Sequence, residues 1–156
     1  MALDLATIKF LEELSQGDEI PLHESTPAAA RALESVIAEL SGPAPEMARV
    51  EETIIGRPDG EIVLRLLVPI QHPRGVLVYY HGGGWVLGSI DESDTVARKL
   101  AERTSCAVVL VEYRLAPEYR YPTAVDDSYV ALEWVGRHLK DIAGKTVPII
   151  VIGDSA

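Results

Sequence analysis

Apolar side chains recur every three or four positions through the first forty residues of the chain. Leucine and isoleucine at three-residue steps in residues 3–15 predict an amphipathic helix. Thr26 followed by Pro27 is typical of a helix N-cap and first turn, and a second apolar stripe runs over residues 29–40. We therefore expect two helices within residues 1–45. The pattern leaves open whether this segment simply packs on the rest of the chain or caps a pocket.

From residue 49 onwards the helical spacing gives way to short apolar runs separated by turns. Residues 49–56 and 61–68 are strand-like and flank a Pro-Asp-Gly turn, which predicts a hairpin. The later elements are expected in this order: a buried strand at 75–80, a helix at 92–104, a buried strand at 106–112, a helix opening at Pro122 and a strand at 148–152. This succession predicts an α/β fold with a mostly parallel sheet and flanking helices.

Both predicted helices of this region have an apolar stripe, the face that a helix normally turns towards a sheet. In the first helix Val96 and Leu100 lie on one face. The stripe of the second helix comprises Val125, Tyr129, Leu132 and Leu139.

Composition and charge narrow the class of protein. The chain has 156 residues, of which 47% are hydrophobic and 24% charged, as in a globular domain and unlike a disordered chain, a collagen or a coiled coil. Its formal net charge is -10, and residues 1–60 hold twelve acidic and four basic residues. So acidic a chain is expected to bind neither nucleic acid nor an anionic membrane surface.

The single cysteine, Cys106, excludes an intrachain disulfide. It begins the apolar run at 106–111, so we expect it to be buried and inert. No basic segment followed by an apolar core opens the sequence, and no apolar stretch approaches the ~18 residues of a membrane span. We therefore expect no signal peptide, no membrane span and a cytoplasmic protein.

The first candidate for chemistry is a glycine loop directly after the predicted strand at 75–80. It reads His81-Gly82-Gly83-Gly84-Trp85. Three glycines without Cβ atoms let backbone N–H groups approach a substrate closely, and such donors can hold a developing oxyanion. A flexible turn is the plainer alternative. No phosphate-binding loop with its lysine occurs, which argues against nucleotide binding.

The second candidate is Gly153-Asp154-Ser155-Ala156, directly after the predicted strand at 148–152. It matches the first four positions of Gly-x-Ser-x-Gly, the turn that lifts a nucleophilic serine out of a sheet. Alone it is as compatible with an ordinary loop. A serine turn and an N–H-rich glycine loop after two strands of one sheet together indicate an acyl-transfer site.

With these motifs the sequence resembles the α/β-hydrolases, and within them the hormone-sensitive-lipase-like esterases. The resemblance is carried by three segments: His81 to Trp85, Tyr113 to Glu118, and Gly153 to Ala156. It implies an α/β-hydrolase fold in which residues 1–45 are a helical cap segment and residues 46–156 are the first half of the catalytic domain.

The resemblance also implies the roles of individual residues. Ser155 would be the nucleophile, and the N–H groups of Gly83, Gly84 and Ala156 would form the oxyanion hole. The supporting motif residues are His81, Gly82, Trp85, Gly153 and Asp154. Of these, His81 would shape the glycine loop rather than act as the base, and Asp154 would be structural. The segment from Tyr113 to Glu118 would hold the loops around the site, with Arg114 and Glu118 as a possible ion pair.

A serine nucleophile needs a histidine base and an orienting acid, which follow the serine in this fold. All four histidines, His23, His72, His81 and His138, precede Ser155, and none is expected to be the base. We therefore expect the chain to be about half of a longer esterase and inactive by itself. The absent half, which would carry the Asp or Glu and the His, would be its partner.

The expected activity is hydrolysis of short- to medium-chain acyl esters through an acyl-serine intermediate, with no metal and no organic cofactor. The small-molecule ester would be the ligand. Two alternatives remain at this point. One is an amidase or peptidase on the same scaffold, and the other is a catalytically silent ligand-binding protein of hydrolase fold.

Overall fold

The computed structural model describes residues 3–14, 24–32 and 41–155. Two helices come first, α1 (Leu5–Leu14) and α2 (Pro27–Arg31). The remaining elements are, in chain order, β1 (Arg49–Arg57), β2 (Gly60–Val68), β3 (Val76–Tyr80), α3 (Ile90–Thr104), β4 (Ala107–Glu112), α4 (Thr123–Arg137), α5 (Leu139–Ala143) and β5 (Ile149–Gly153). The predicted order of strands and helices is confirmed. The helix expected to run through residue 139 is divided at His138 into α4 and α5.

The five strands form one mixed sheet in the order β1-β2-β4-β3-β5. β1, β2 and β4 are paired antiparallel, whereas β3 lies parallel to both β4 and β5. Tyr80 is opposite Gly153 at the carboxyl ends of β3 and β5. The turns that follow these two strands therefore start side by side at one edge of the sheet, where α/β proteins bind their ligands.

Helices cover both faces of the sheet, and β4 is buried between them. α4 and α5 pack on one face, around Val109, Val111 and Val135. α3 packs on the other face, where Ala97 and Ala101 meet Val108 and Leu110 of β4. Cys106, as expected, is buried and unpaired on this second side. The small alanines let α3 approach the sheet closely.

The prediction of an apolar stripe on α4 is correct for two of its four residues. Leu132 and Leu139 pack against the core, but the side chains of Val125 and Tyr129 are 53% and 62% exposed. The buried positions of α4 are instead Asp127, Ala131 and Val135. These positions are rotated by about 200° from Val125 and Tyr129, since each residue turns the helix by about 100°. The apolar stripe predicted for α3 is also only partly buried. Leu100 packs against the core, whereas the side chain of Val96 is 44% exposed.

Asp127 faces inwards because it pairs with Arg114, which follows β4. The Nε and Nη2 atoms of Arg114 donate to the two carboxylate oxygens of Asp127, each over 2.8 Å, and its backbone N–H donates over 3.1 Å. Asp127 is fully buried and Arg114 is 8% exposed. Nη1 of Arg114 also donates to the carbonyl of Asp59 in the β1–β2 turn. One guanidinium thus links a hairpin, a strand end and a helix.

This pairing corrects the expectation that Arg114 pairs with Glu118. The carboxylate of Glu118 instead binds Arg31, which is the last residue of α2. A buried guanidinium is stabilised most by a carboxylate that is itself buried and bidentate. Asp127 meets that condition, whereas the side chain of Glu118 is 55% exposed.

The two N-terminal helices begin as predicted. The Oγ1 atom of Thr26 accepts a hydrogen bond from the backbone N–H of Ala29 over 3.2 Å, so it caps α2. The predicted continuation of that helix over residues 33–40 lies outside the described residues. In α1 the apolar positions Leu5, Ile8 and Leu11 are exposed. Within the three described ranges, no helix is long and apolar enough to cross a membrane.

Replacing Asp127 by asparagine is expected to destabilise the protein by about 3 kcal/mol, because the buried guanidinium of Arg114 would lose its counter-charge. The free energy of unfolding in urea measures this. Asp126→Asn is the matched control, since the neighbouring Asp126 is exposed and its loss removes only a favourable interaction with the helix dipole, worth below about 1 kcal/mol. Equal effects of the two substitutions would contradict the prediction.

Candidate active site

The serine turn and the glycine loop are in direct contact. Ser155 lies two residues beyond β5, and Gly82 lies two residues beyond β3. A Cβ atom added to Gly82 would stand 2.7 Å from Cβ of Ser155 and 3.1 Å from a carboxylate oxygen of Asp154. Real Cβ atoms do not approach so closely, so only glycine fits at position 82. The structure therefore brings the candidate nucleophile against the candidate oxyanion loop. Ala156 lies outside the described residues.

Left-handed backbone conformations shape the loop after Gly82. The φ angles of Gly83, Gly84 and Gly88 are +117°, +61° and +90°. Side chains at two of these positions would also collide with backbone: a Cβ on Gly83 would meet the carbonyl of Leu87, and one on Gly88 would meet the carbonyl of Gly82. The glycines are therefore needed for both conformation and space.

The carbonyl of Gly83 closes the loop into a turn. It accepts hydrogen bonds from the backbone N–H groups of Val86 and Leu87, over 3.1 and 2.9 Å. Among the described residues the N–H groups of Gly83 and Gly84 donate to no protein acceptor. Backbone donors in a loop that contacts a serine can hold a negatively charged oxygen.

His81 is a buried support of the glycine loop. Its ring is 4% exposed and stacks on Tyr113, with centroids 4.3 Å apart and planes inclined by 13°. Its Nδ1 atom is 2.9 Å from the carbonyl oxygen of Gly82. The hydroxyl of Tyr113 donates to the carbonyl of His81 over 2.5 Å. These contacts fix the carbonyls of His81 and Gly82, which belong to two successive peptides at the start of the loop, and leave His81 with a structural geometry.

Two tyrosines stand behind the site: Tyr79, which the sequence analysis did not single out, and Tyr113, which begins the segment expected to hold the loops around the site. Burial, reinforced by the negative charge of Asp154, raises the pKa of Tyr79 and of Tyr113 to about 12. Both hydroxyls therefore stay protonated at neutral pH and act as hydrogen-bond donors. Asp154, the residue before the candidate nucleophile, is itself exposed. The only sequence signal for Tyr79 is its place near the carboxyl end of a buried apolar run.

Arg31 ties the N-terminal segment to the loops around the site. Its Nε atom donates to the carbonyl of Val86 over 2.8 Å, and Nη2 donates to the carbonyl of Ala116 over 2.7 Å. The guanidinium also forms a two-pronged ion pair with Glu118, with both N–O distances 3.0 Å. The loop after β3 and the loop after β4 are thus held by one side chain from α2. The sequence analysis missed this role of Arg31.

The other histidines are placed away from this arrangement. His72 is exposed in the connection between β2 and β3. His138 lies between α4 and α5, where its Nδ1 is 2.7 Å from the carbonyl oxygen of Trp134 and its ring stacks on that indole at 4.0 Å. His23 lies outside the described residues. In the part of the chain that the structure describes, no group of three or more His, Cys, Asp or Glu side chains could hold a metal ion.

Comparisons with known proteins agree with this geometry. A family model described as the alpha/beta hydrolase fold matches residues 77–156. Carboxylesterase NlhH of Mycobacterium tuberculosis is 47% identical over 116 residues, which are 72% of this chain and 36% of that protein. Ethyl acetate hydrolase of Pseudomonas putida is 34% identical over 160 residues, covering 97% of this chain and 50% of that protein.

Solved structures give the same result for the fold. The hyperthermophilic esterase of the archaeon Pyrobaculum calidifontis superposes with a TM-score of 0.87 at 34% sequence identity, covering all of this chain and 50% of that one. The chain thus spans about a third to a half of the length of the relatives that it matches.

The attachment of α2 is expected to depend on pH. Hydrogen bonds from Arg31 hold the pKa of Glu118 below its ordinary value of 4.5. Because the pKa of Glu118 is lower in the folded protein, the Arg31–Glu118 ion pair stabilises the fold above a pH of about 4.5. This stabilisation is lost as the pH falls through the lowered pKa. The protection of the amides of residues 24–32 against hydrogen exchange, relative to the intrinsic exchange rate at each pH, should therefore fall in acid.

Glu118→Gln tests this directly, because it removes the titrating group and keeps the shape of the side chain. The variant should show lower protection than the wild type at neutral pH, with no further fall in protection as the pH drops below about 4.5. Arg31→Lys should have a larger effect, since lysine cannot donate to Val86, Ala116 and Glu118 together. A wild-type pH profile that persists in Glu118→Gln would refute the assignment.

Proposed function

The chain belongs to the α/β-hydrolase family, and we propose that the whole protein is a serine carboxylesterase that hydrolyses short- to medium-chain acyl esters. The observation that carries the proposal is the contact between Gly82 and Ser155, which puts a serine against a loop in which the N–H groups of Gly83 and Gly84 donate to no acceptor among the described residues. That pairing is what attack on an ester carbonyl requires.

In the proposed reaction the Oγ atom of Ser155 attacks the carbonyl carbon of the ester. The N–H groups of Gly83, Gly84 and Ala156 stabilise the negative oxygen of the tetrahedral intermediate. The alcohol leaves, and water then hydrolyses the acyl-serine. The supporting contacts come from His81 and Gly82, because His81 fixes the loop and Gly82 lets it approach the nucleophile.

The proton of Ser155 must pass to a base. Of the described histidines, His81 is stacked behind the loop, His72 is exposed on a distant connection, and His138 is bound to Trp134. We therefore assign the base and its orienting acid to residues of the whole protein outside the described part of this chain. Residues 1–45 are assigned as a helical cap segment, which the contacts of Arg31 with Val86 and Ala116 support.

An ester substrate is favoured over an amide, and catalysis over silent binding. The relatives are named carboxylesterase, esterase, arylesterase and ethyl acetate hydrolase, and ethyl acetate has a two-carbon acyl group. The ligand in the proposal is accordingly a small uncharged ester. A cytoplasmic location is part of the same proposal, supported by the absence of a second cysteine that could form a disulfide with Cys106.

Replacing Ser155 by alanine in the whole protein should abolish hydrolysis of 4-nitrophenyl butyrate, with a fall in kcat of at least about 1,000-fold, because no other hydroxyl can form the acyl-enzyme. Ser128→Ala is the control, since that hydroxyl only donates to the carbonyl of Ala124 within α4. Hydrolysis by the Ser155 variant at the wild-type rate would refute the proposal.

Substitutions in the glycine loop should also lower the rate of ester hydrolysis. Gly82→Ala would push Ser155 aside, and Gly83→Ala would rotate an oxyanion donor, so each should lower kcat/KM by about 100-fold or more. Gly56→Ala is the matched control, because a Cβ there meets nothing within 4 Å. Thermal unfolding shows whether each variant is folded. Folded Gly82 and Gly83 variants with wild-type kcat/KM would contradict this role of the loop.

A further inference from the structure

The N–H of Gly84, one of the proposed oxyanion donors, belongs to a peptide group that is held by its carbonyl. This carbonyl is that of Gly83, which accepts the N–H groups of Val86 and Leu87 over 3.1 and 2.9 Å. The peptide is trans and planar, so its C=O and N–H groups point in opposite directions. The two bonds to the oxygen of Gly83 therefore aim the N–H of Gly84 away from the turn.

The bond from Leu87 can be followed back to a charged side chain. The N–H of Leu87 shares a peptide group with the carbonyl of Val86, and this carbonyl accepts a hydrogen bond from Nε of Arg31 over 2.8 Å. We call the resulting chain the Arg31 relay: it runs from the guanidinium through the Val86–Leu87 peptide to the Gly83–Gly84 peptide. Each group donates to the next in the same direction. The dipoles of both peptides thus have their positive ends towards the N–H of Gly84.

A second branch reaches the carbonyl of Gly83 from the loop after β4. The N–H of Val86 shares a peptide group with the carbonyl of Trp85, which accepts the N–H of Ala116 over 2.9 Å. Arg31 acts on this branch as well, because its Nη2 atom donates to the carbonyl of Ala116 over 2.7 Å. One guanidinium therefore holds both of the loops whose N–H groups converge on Gly83.

The backbone of Trp85 shows that the turn depends on these outside contacts. Its φ angle is +60°, a left-handed conformation that is unusual for a bulky side chain. Such a conformation persists only where the surrounding structure imposes it. Here the bond from Ala116 to the carbonyl of Trp85 and the bond from Arg31 to the next carbonyl impose it together. Without them the turn would be free to relax.

Hydrogen bonds in series also strengthen one another, by about 10–30% per bond, and a bond from a charged donor is about twice as strong as a neutral one. The relay begins at such a donor, and the side chain of Arg31 is only 26% exposed. Solvent therefore screens its charge only in part. Both effects make the N–H of Gly84 a stronger donor than that of an isolated peptide.

We propose that Arg31 is a positioning residue of the esterase reaction, which aims and polarises the N–H of Gly84 through the Arg31 relay. The inference rests on the proposed esterase function and adds to it a residue of α2 that acts through the backbone. The negative charge that develops on the ester carbonyl oxygen would meet a donor that is already oriented and polarised. α2 would thereby contribute to the chemical step itself.

The N–H of Gly83 provides an internal control within the same loop. Its peptide group carries the carbonyl of Gly82, which lies 2.9 Å from Nδ1 of His81 and is outside the relay. Glycine-selective isotope labelling of the whole protein gives NMR signals for both amides. In Arg31→Met the amide proton of Gly84 should move upfield, as that of a weakened donor does, by clearly more than the amide proton of Gly83. Equal shifts, or no shift, would overturn the inference.

Kinetics of the whole protein test the consequence for the reaction. Arg31→Met keeps an unbranched side chain but removes the charge and every donor. For 4-nitrophenyl butyrate we expect kcat to fall about tenfold and KM to stay within about twofold, since a weakened oxyanion donor costs less than the 100-fold or more of a lost one. Affinity for a trifluoromethyl ketone, whose adduct with Ser155 carries a negative oxygen, should fall by the same factor as kcat/KM.

Arg137→Met is the matched control, because Arg137 also pairs with a glutamate but does so on the exposed surface of α4. It should keep the wild-type kcat and the wild-type amide signals of Gly83 and Gly84. Should Arg31→Met not fold, Arg31→Gln takes its place with the same expectations, since glutamine also lacks the charge. Thermal unfolding shows whether each variant is folded.

Glu118→Gln separates the relay from the attachment of α2. Both Glu118→Gln and Arg31→Met should lower the protection of residues 24–32 against hydrogen exchange. Glu118→Gln, however, keeps the guanidinium and its bond to the carbonyl of Val86, so it should lower kcat by less than about threefold. An equal fall in kcat in the two variants would mean that activity depends on attachment alone, and the inference would be wrong.

These outcomes also distinguish the inference from the function on which it rests. If the wild-type protein hydrolyses esters and a folded Arg31→Met variant keeps its kcat and its Gly84 signal, the inference fails and the esterase function stands. If the wild-type protein hydrolyses no ester, the proposed function fails, and the role of Arg31 in that reaction fails with it.

Discussion

The parallel pairing of β3 with β5 is the constraint on which the site depends. Hydrogen bonds along these strands set Tyr80 opposite Gly153, so the chain leaves the sheet at the same level in both places. Two residues later, Gly82 and Ser155 are closer than any side chain on Gly82 would permit. The candidate nucleophile and the glycine loop are therefore positioned by the backbone pairing of β3 with β5, and only the last two residues of each segment depend on loop conformation.

The surrounding contacts keep those last residues in place from two sides. From within the fold, Tyr113 and His81 hold the first peptide of the glycine loop by stacking and hydrogen bonding. From outside, Arg31 binds the carbonyls of Val86 and Ala116. Both sets of contacts act on backbone carbonyls, while among the described residues the N–H groups of Gly83 and Gly84 donate to no protein acceptor. Such preorganised donors need no rearrangement when charge develops on a bound oxygen.

Local features of the sequence predicted most of this arrangement. Apolar runs such as 75–80 and 106–111 have the length of buried strands, and glycine triplets or Gly-Asp-Ser turns are recognisable because few residue types suit them. The pairing of Arg31 with Glu118 was beyond such reasoning, since the two residues are 87 positions apart and each has ordinary neighbours. Charge alone did not distinguish Asp127 from Asp126, although one is fully buried and the other exposed. Which of the two carboxylates is buried depends on where Arg114 lies in the folded chain.

The buried carboxylate of Asp127 has a further consequence for how α4 finds its place. Apolar side chains tolerate a helix that is rotated or shifted along the sheet, because one hydrocarbon contact can replace another. A carboxylate that must meet both nitrogens of a fixed guanidinium accepts only one rotation and one height of the helix. Every misaligned packing of α4 would leave two opposite charges apart in an apolar interior. The pair thereby penalises wrong arrangements of the helix during folding, which an apolar contact of the same size could not do.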